Sequence, residues 1–84
     1  MDIGVELSLY PLRADFLPTI KDFIDRLHAD GRLKVVSNSL STQVFGDYDV
    51  VFDVLRRELR GTFENTDKAV FVMKVIGSYV SSDA

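Results

Sequence analysis

The sequence predicts a small α+β domain in which four antiparallel strands and two helices follow one another in the order β-α-β-β-α-β. Residues 3–10 alternate strictly between apolar and polar or small side chains, and residues 69–76 alternate in the same way around Lys74, as strands with one buried face do. Residues 16–27 and 47–60 instead repeat apolar side chains at helical spacing. Two short strand patterns, joined by Asn38-Ser39, lie between these helices.

The length and composition fit one globular domain. We expect residues 1–80 to form a single domain and residues 81–84 to be a flexible tail. The apolar content of 46% and charged content of 27% argue against disorder. A chain of 84 residues buries only roughly 60–65% of its extended surface, so the core is thin and oligomerisation is favoured.

The charge and the cysteine count exclude several classes of partner and site. A net charge of −3 and a pI near 4.9 disfavour nucleic acids and anionic membranes as partners. No cysteine is present, which excludes disulfides and thiolate metal sites. We expect a cytoplasmic protein without membrane insertion, because the sequence contains no signal-peptide pattern and no apolar run of about 20 residues.

The first strand and helix have clear boundaries. Pro11 ends the first strand, Asp15 can cap the helix that follows, and Asp30-Gly31 supplies a left-handed stop. The helix carries one apolar stripe, made of Phe16, Ile20, Phe23, Ile24 and Leu27. The strand directs Ile3, Val5, Leu7 and Leu9 to one face and Gly4, Glu6, Ser8 and Tyr10 to the other.

The middle of the chain predicts a hairpin that runs directly into the second helix. We expect strands at Leu33–Ser37 and Leu40–Phe45, a turn at Gly46, and a helix that Asp47 caps. The helix should end near Arg60, with Gly61 as its C-cap and Arg56, Arg57 and Arg60 at its negative end. Its inward candidates are Val51, Val54, Leu55 and Leu59.

Right-handed crossovers place both helices on one face of the sheet, which is the ferredoxin-like arrangement. The opposite, open face then carries the side chains of Glu6, Ser8, Tyr10, Val70 and Val72. This face is too apolar to be simply exposed. We therefore expect a homodimer or homotetramer that forms through the open face.

The sequence offers no catalytic residue and no metal site. His28 is the sole histidine and is expected to lie on the surface at a helix end. No hydrolytic triad, metal-ligand spacing or phosphate-binding glycine loop is present. The three arginines of the second helix are most simply a solvated helix end. We therefore expect no enzyme activity and no cofactor.

Two families of the same topology can be weighed against these residues. Acylphosphatases use an arginine after the first strand and an asparagine after the second, and Arg13 and Asn38 lie at roughly such places. However, the loop at residues 11–15 contains no glycine and includes an aspartate, which disfavours phosphate binding. RNA-recognition domains place aromatic and basic residues on their central strands, whereas this chain offers Glu6 and Tyr10 there.

Short polar side chains crowd the front half of the third strand. Residues 38–43 contain Asn38, Ser41 and Thr42 but no charge. A solvent-facing edge strand usually carries charges, whereas a fully buried strand carries Val or Ile. Uncharged donors and acceptors suit either a small polar ligand or a sheet face buried against a partner.

Two motifs resemble the YkoF-like thiamine/hydroxymethylpyrimidine-binding family over about residues 3–77. They are Ser8-Leu9-Tyr10-Pro11-Leu12, and Asn38-x-x-Ser41-Thr42-x-x-x-Gly46-Asp47. The resemblance implies a ferredoxin-like fold, sheets packed face to face into dimers or tetramers, and binding of thiamine or its pyrimidine moiety without catalysis. It places Tyr10, Asn38, Thr42 and Gly46 at motif positions.

The residues suit such a ligand chemically. The aminopyrimidine ring needs donors and acceptors, which Asn38, Ser41 and Thr42 can offer. Tyr10 or Phe45 could face the thiazolium cation, at about 0.5–2 kcal/mol, and Glu6 or Asp49 could add negative charge. An alternative stays open, in which Asn38 only shapes the hairpin and the domain is an oligomeric regulatory module with another ligand or none.

Overall fold

Four strands and two helices follow one another in the predicted order in the computed structural model, which describes residues 1–12, 17–38, 40–66 and 68–78. The elements are β1 (Asp2–Pro11), α1 (Leu17–Asp30), β2 (Lys34–Ser37), β3 (Thr42–Asp47), α2 (Tyr48–Asn65) and β4 (Ala69–Ile76). Arg13, the predicted cap Asp15, Phe16 and the tail at residues 81–84 lie outside the described residues.

The sheet is antiparallel throughout, with the strand order β2-β3-β1-β4. The first strand of the chain is therefore central. It pairs with β3 from Asp2 opposite Asp47 to Leu7 opposite Thr42, and with β4 from Gly4 opposite Ile76 to Pro11 opposite Ala69. This topology confirms the ferredoxin-like fold.

The core lies between the helices and one face of the sheet. Its fully buried residues at predicted inward positions are Ile3, Val5, Leu7, Phe23, Leu27, Val51, Val54 and Leu55, and Val44 of β3 joins them. Phe71 of β4 packs against this core through ring contacts with Phe23 and Phe63. The predicted stop at Gly31 is confirmed, because its φ of +79° lies in the left-handed region that favours glycine.

The boundaries of the hairpin differ from the prediction. β3 begins at Thr42, so the connection between β2 and β3 covers residues 38–41. The predicted turn at Gly46 is also wrong, because Gly46 pairs with Ile3 inside β3. A Cβ there would lie 2.7 Å from Leu33 Cδ2, so the missing side chain makes room for Leu33. Asp47 caps α2 as predicted, and its side chain accepts a hydrogen bond from the Asp49 amide at 3.1 Å.

The second helix is longer than predicted. It continues through Gly61 to Asn65, so Gly61 is not its C-cap and no basic residue occupies its last turn. Arg57 donates instead to Asp30 and Glu58, and Arg60 pairs with Glu64 at 3.3 Å. A glycine inside a helix costs only about 1 kcal/mol, which the packing of the flanking residues can offset.

A polar contact joins the two helices beside the core. Arg26 of α1 donates from Nη1 to the carboxylate of Glu58 at 2.6 Å and to its main-chain carbonyl at 3.0 Å. Its Nη2 donates to Thr62 Oγ1 at 2.7 Å, and its Nε donates to Asp22 at 2.9 Å. Glu58 and Thr62 are buried, and burial of these polar groups is tolerated because Arg26 satisfies them.

Candidate functional site

A groove of about 440 Å³ opens between α1 and the sheet, beside the turn that connects β2 to β3. Its walls are apolar and come from Leu7, Leu9, Leu12, Ile20, Phe23, Ile24 and Leu40. Its polar lining residues are Ser8, Tyr10, Asn38, Ser41 and Thr42. Known small-molecule sites have this size and this mixture of apolar walls with a few placed polar groups.

Thr42 supplies the most buried polar group of the groove. It begins β3 on the same sheet face as Val44, and its residue is only 6% exposed. Its hydroxyl shares a hydrogen bond of 3.2 Å with the hydroxyl of Ser37, the residue opposite it on β2. This bond orients the Thr42 hydroxyl, and an oxygen with two lone pairs and one proton retains capacity for a further partner.

Ser41 lies at the rim and connects the groove to the open face of the sheet. Its hydroxyl donates to Glu6 Oε2 at 3.1 Å, and Glu6 Oε1 lies 3.9 Å from Lys74 Nζ. Glu6 is therefore held beside the groove by two neighbours, although it does not line the groove itself. This rim therefore carries a carboxylate that is paired with the Lys74 ammonium.

Asn38 has a structural role in addition to its place in the groove. Its Oδ1 accepts hydrogen bonds from the amides of Leu40 at 2.8 Å and Ser41 at 3.1 Å. The main-chain amide of Asn38 donates to the main-chain carbonyl of Ser41 at 3.1 Å. These bonds form an Asx-type turn. The side-chain oxygen of Asn38 therefore stabilises the backbone of the turn that positions Ser41 and Thr42.

Tyr10 lies near the end of β1, where the groove opens to solvent. It is 54% exposed, pairs with Val70 of β4, and lines the groove. Because Tyr10 alternates with Leu9 and pairs with Val70, its side chain belongs to the open face, and the residue borders the groove at the rim where β1 ends.

Two predicted site residues lie elsewhere. Phe45 is on the open face of the sheet, opposite Lys34 on one side and Gly4 on the other. Asp49 follows the far end of β3, because Thr42 and Asp47 are five residues apart on one strand, a separation of ~16 Å. The structure therefore brings together Tyr10, Asn38, Ser41 and Thr42 and leaves Phe45 and Asp49 out of the groove.

The apolar walls were missed as site residues, since the alternation of β1 and the stripe of α1 predict only a core. Ile20 and Ile24 are half-buried, whereas Phe23 and Leu27 of the same helix are fully buried. The exposed Leu12 and Leu40 extend the wall to the rim. A leucine inside the polar stretch, Leu40, is the signal that could have indicated an apolar wall beside the polar groups.

The described lining of the groove contains no charged side chain and no histidine. His28 is exposed in the last turn of α1, as predicted. Among the described residues, no three His, Asp or Glu side chains are grouped closely enough to hold a metal ion. The groove can therefore offer shape, apolar contact and hydrogen bonds to a ligand. Within the same described part of the chain, neither helix is long and apolar enough to cross a membrane.

Solved structures of similar fold come from distant organisms. A protein from Streptococcus pneumoniae has a TM-score of 0.85 and 21% identity, with coverage of 99% of this chain and 94% of that one. A Thermotoga maritima protein provisionally assigned to thiamine biosynthesis or salvage has a TM-score of 0.85 and 16% identity, with coverage of 99% and 92%. A hypothetical protein from Methanocaldococcus jannascii has a TM-score of 0.78 and 22% identity, with coverage of 99% and 87%.

At these identities the likeness shows the fold alone. A comparison with curated proteins finds no significant match. The model of the YKOF-related family, in contrast, matches residues 2–78, which is nearly the whole chain. The chain therefore belongs to the YKOF-related family.

Proposed function

We propose that this protein binds thiamine or its hydroxymethylpyrimidine moiety in the groove, without catalysis, for carriage, sensing or salvage of the compound. The observation that carries the proposal is the lining of the groove, in which uncharged hydroxyls stand at one end of apolar walls. Family membership and the provisional thiamine assignment of the Thermotoga maritima protein support the same ligand class.

The polar end of the groove fits the pyrimidine ring. An aminopyrimidine presents an exocyclic donor beside ring-nitrogen acceptors, and a hydroxyl group can serve either kind of atom. Thr42, oriented by Ser37, supplies such a hydroxyl, and Ser41, which donates its proton to Glu6, can accept a hydrogen bond from the ligand. The walls from Leu7, Ile20 and Ile24 would cover the faces of the ring.

The mouth of the groove fits the cationic part of thiamine. Tyr10 can face the thiazolium ring there, and the Glu6 carboxylate beside Ser41 adds negative charge at the rim. The roles first predicted for Phe45 and Asp49 are not part of this proposal, because both residues lie away from the groove.

The absence of catalysis is part of the proposal. The described lining residues include no acid–base pair and no activated nucleophile. Acylphosphate hydrolysis by the pure protein, abolished by Asn38→Ala in a variant that remains folded, would instead favour an acylphosphatase-like enzyme.

The decisive experiment is isothermal titration calorimetry of the pure protein with thiamine and with hydroxymethylpyrimidine. We expect one site per chain, and weaker binding when Thr42 is replaced by valine. If no thiamine-related compound binds at millimolar concentration, the ligand proposal fails.

A second candidate function is an oligomeric regulatory or interaction module that binds another ligand or none. The observation that favours it is the open face of the sheet, where Val36, Val70 and Val72 are 38–50% exposed beside Tyr10. We propose that this face packs against the same face of a second chain, in a homodimer or homotetramer. The open-face contact is compatible with both functions, so only ligand titration separates them.

A further inference from the structure

The two edges of the sheet are unequal. The edge strand β2 has four residues, whereas the edge strand β4 has eight, and β4 pairs with β1 through eight consecutive residues without a bulge. Edge strands are usually protected by shortness, proline, bulges or several charges. β4 contains no proline, and its only charged residue is Lys74, which lies beside Glu6. No described strand pairs with its outer edge, which can therefore accept another strand.

Both faces of β4 are apolar and half exposed. Val70, Val72 and Ile76 belong to the open face and are 44–52% exposed. Met73 and Val75 share the helix side of the sheet with Leu7 and Val5, yet they are 40% and 48% exposed, because the helices do not extend over them. Packing the open face against a partner would leave Met73 and Val75 uncovered, so that contact does not account for this edge.

The sequence of β4 is complementary to itself. Two copies of β4 can pair antiparallel so that each face of one sheet continues into the same face of the other. Even-numbered residues then lie opposite even-numbered residues, and odd-numbered opposite odd-numbered. Pairing centred on Met73 places Val70 opposite the partner's Ile76 and Phe71 opposite the partner's Val75. Lys74 then lies opposite the partner's Val72.

The neighbouring registers are less favourable. Centring the pair on Val72 leaves Ile76 beyond the partner's strand, opposite the partner's Lys68. Centring it on Lys74 sets two ammonium groups directly opposite each other, which is unfavourable. Of these three registers, only the one centred on Met73 places all five half-exposed apolar residues of β4 opposite a residue of the partner's β4. It also keeps the two Lys74 side chains from lying opposite each other.

We propose that β4 pairs antiparallel with β4 of a second copy of this chain, with Met73 opposite the partner's Met73. The product is a continuous eight-stranded sheet with a two-fold axis. This edge contact is separate from the open-face contact of the proposed function, and the two can coexist as a dimer of dimers.

Cross-linking tests the register, because the native sequence has no cysteine. Directly opposed residues have Cα atoms about 4.5–5.5 Å apart, within reach of a disulfide. We therefore expect Met73→Cys to form a disulfide-linked dimer under mild oxidation at low protein concentration. The matched control is Val75→Cys, which has similar exposure on the same side of the sheet. In this register the two copies of residue 75 are offset by four residues along the paired strands, so the variant should stay monomeric in denaturing gels. Equal cross-linking of both variants, or of neither, overturns the proposal.

Opposite charges at the same position give an independent test. Met73→Lys and Met73→Glu should each halve the mass of the parent assembly in light scattering, because like charges then face each other. An equimolar mixture of the two variants should recover the parent mass. The control Leu17→Lys, at an exposed site on α1, should leave the mass unchanged. Failure of the mixture to associate, or a parent mass in either single variant, contradicts edge pairing whatever happens at the open face.

Discussion

The guanidinium of Arg26 occupies the space that a side chain at position 61 would need. A Cβ built on Gly61 would lie 2.6 Å from Arg26 Nη1, which is far below van der Waals contact. That nitrogen is held by both the carboxylate and the main-chain carbonyl of Glu58. Gly61 is therefore part of the contact between the helices and does not terminate α2.

The substitution Gly61→Ala should destabilise the protein, although alanine raises helix propensity by about 1 kcal/mol. The new methyl group must displace the Arg26 guanidinium from Glu58 and Thr62, and hydrogen bonds to charged groups contribute about 1.5–3 kcal/mol. We expect a net loss of about 1–2 kcal/mol in urea unfolding. In an Arg26→Ala background the same substitution should become stabilising. Stabilisation by Gly61→Ala in both backgrounds would contradict the steric argument.

The substitution Thr42→Val should weaken thiamine binding about five- to 150-fold, or roughly 1–3 kcal/mol. Valine is nearly isosteric but leaves a polar atom of the ligand unpaired. The fold should survive, because valine suits a strand and the former partner, Ser37, is exposed to water. Ser37→Ala serves as the control, since it removes only the orienting bond and should have a smaller effect on affinity. Unchanged affinity in folded Thr42→Val, measured by calorimetry, would move the site elsewhere.

Thiamine should bind more tightly than thiamine pyrophosphate, by a factor on the order of ten. The described lining offers the diphosphate no cation, and the Glu6 carboxylate lies beside the rim. Competition calorimetry at low salt measures the ratio. The variant Glu6→Gln should reduce the difference in affinity between thiamine and its pyrophosphate. It removes the repulsion between the carboxylate and the diphosphate but keeps an acceptor for Ser41. Tighter binding of the pyrophosphate would place an anion site at the mouth.

The stability of the protein should fall in acid because of Asp30. Hydrogen bonds from Arg32 and then from Arg57 hold the pKa of this carboxyl well below its usual range. The contribution of Asp30 to stability is therefore complete above the unfolded-state pKa of about 3.9 and is lost as the pH falls below it. In urea unfolding, Asp30→Asn should be less stable than the parent at pH 7, and the difference should shrink below about pH 4. A constant difference across this range would show that the ion pairs contribute nothing.

The substitution Val72→Glu should disrupt the open-face contact. Its side chain lies opposite Ser8 on that face and is 50% exposed, so the monomer should tolerate the change. Light scattering should then report a smaller assembly than the parent. The control Leu17→Glu, at an exposed site on α1 away from both proposed contacts, should leave the assembly unchanged. A stable monomer in the unmodified protein would remove the proposed contact.

The element order, the core and the open face could be predicted because each depends on a local period. The alternation from Ile3 to Leu9 and the stripe through Phe23 and Leu27 determine which side chains are buried, and both patterns are confirmed. The extent of α2 could not be predicted in this way. Glycine is typical of a helix end, so the sequence predicts that α2 stops at Gly61. Gly61 instead lies inside α2, where the close approach of Arg26 from α1 leaves no room for a side chain.

Part of the groove could also be predicted. The uncharged stretch from residue 38 to residue 42 indicated a polar site, and Asn38, Ser41 and Thr42 do line the groove with Tyr10. The side chains of Phe45 and Asp49 were assigned to the site by their type alone. Phe45 alternates with Val44 and so lies on the open face, and Asp49 lies beyond the far end of β3. The groove lies at the start of β3 because α1 packs there, and this tertiary contact cannot be read from the local sequence.

The central position of β1 has a consequence for synthesis of the protein. β1 is made before both of its partners, because it pairs with β3 on one side and with β4 on the other. In a nascent chain that lacks β4, the edge of β1 that pairs with β4 is unpaired, and Phe23 lacks its contact with Phe71. Because such distant contacts form late, the sheet can close only after translation has passed Ile76. Synthesis of β4, and not emergence of the first half of this domain, should therefore set the time at which the sheet can close.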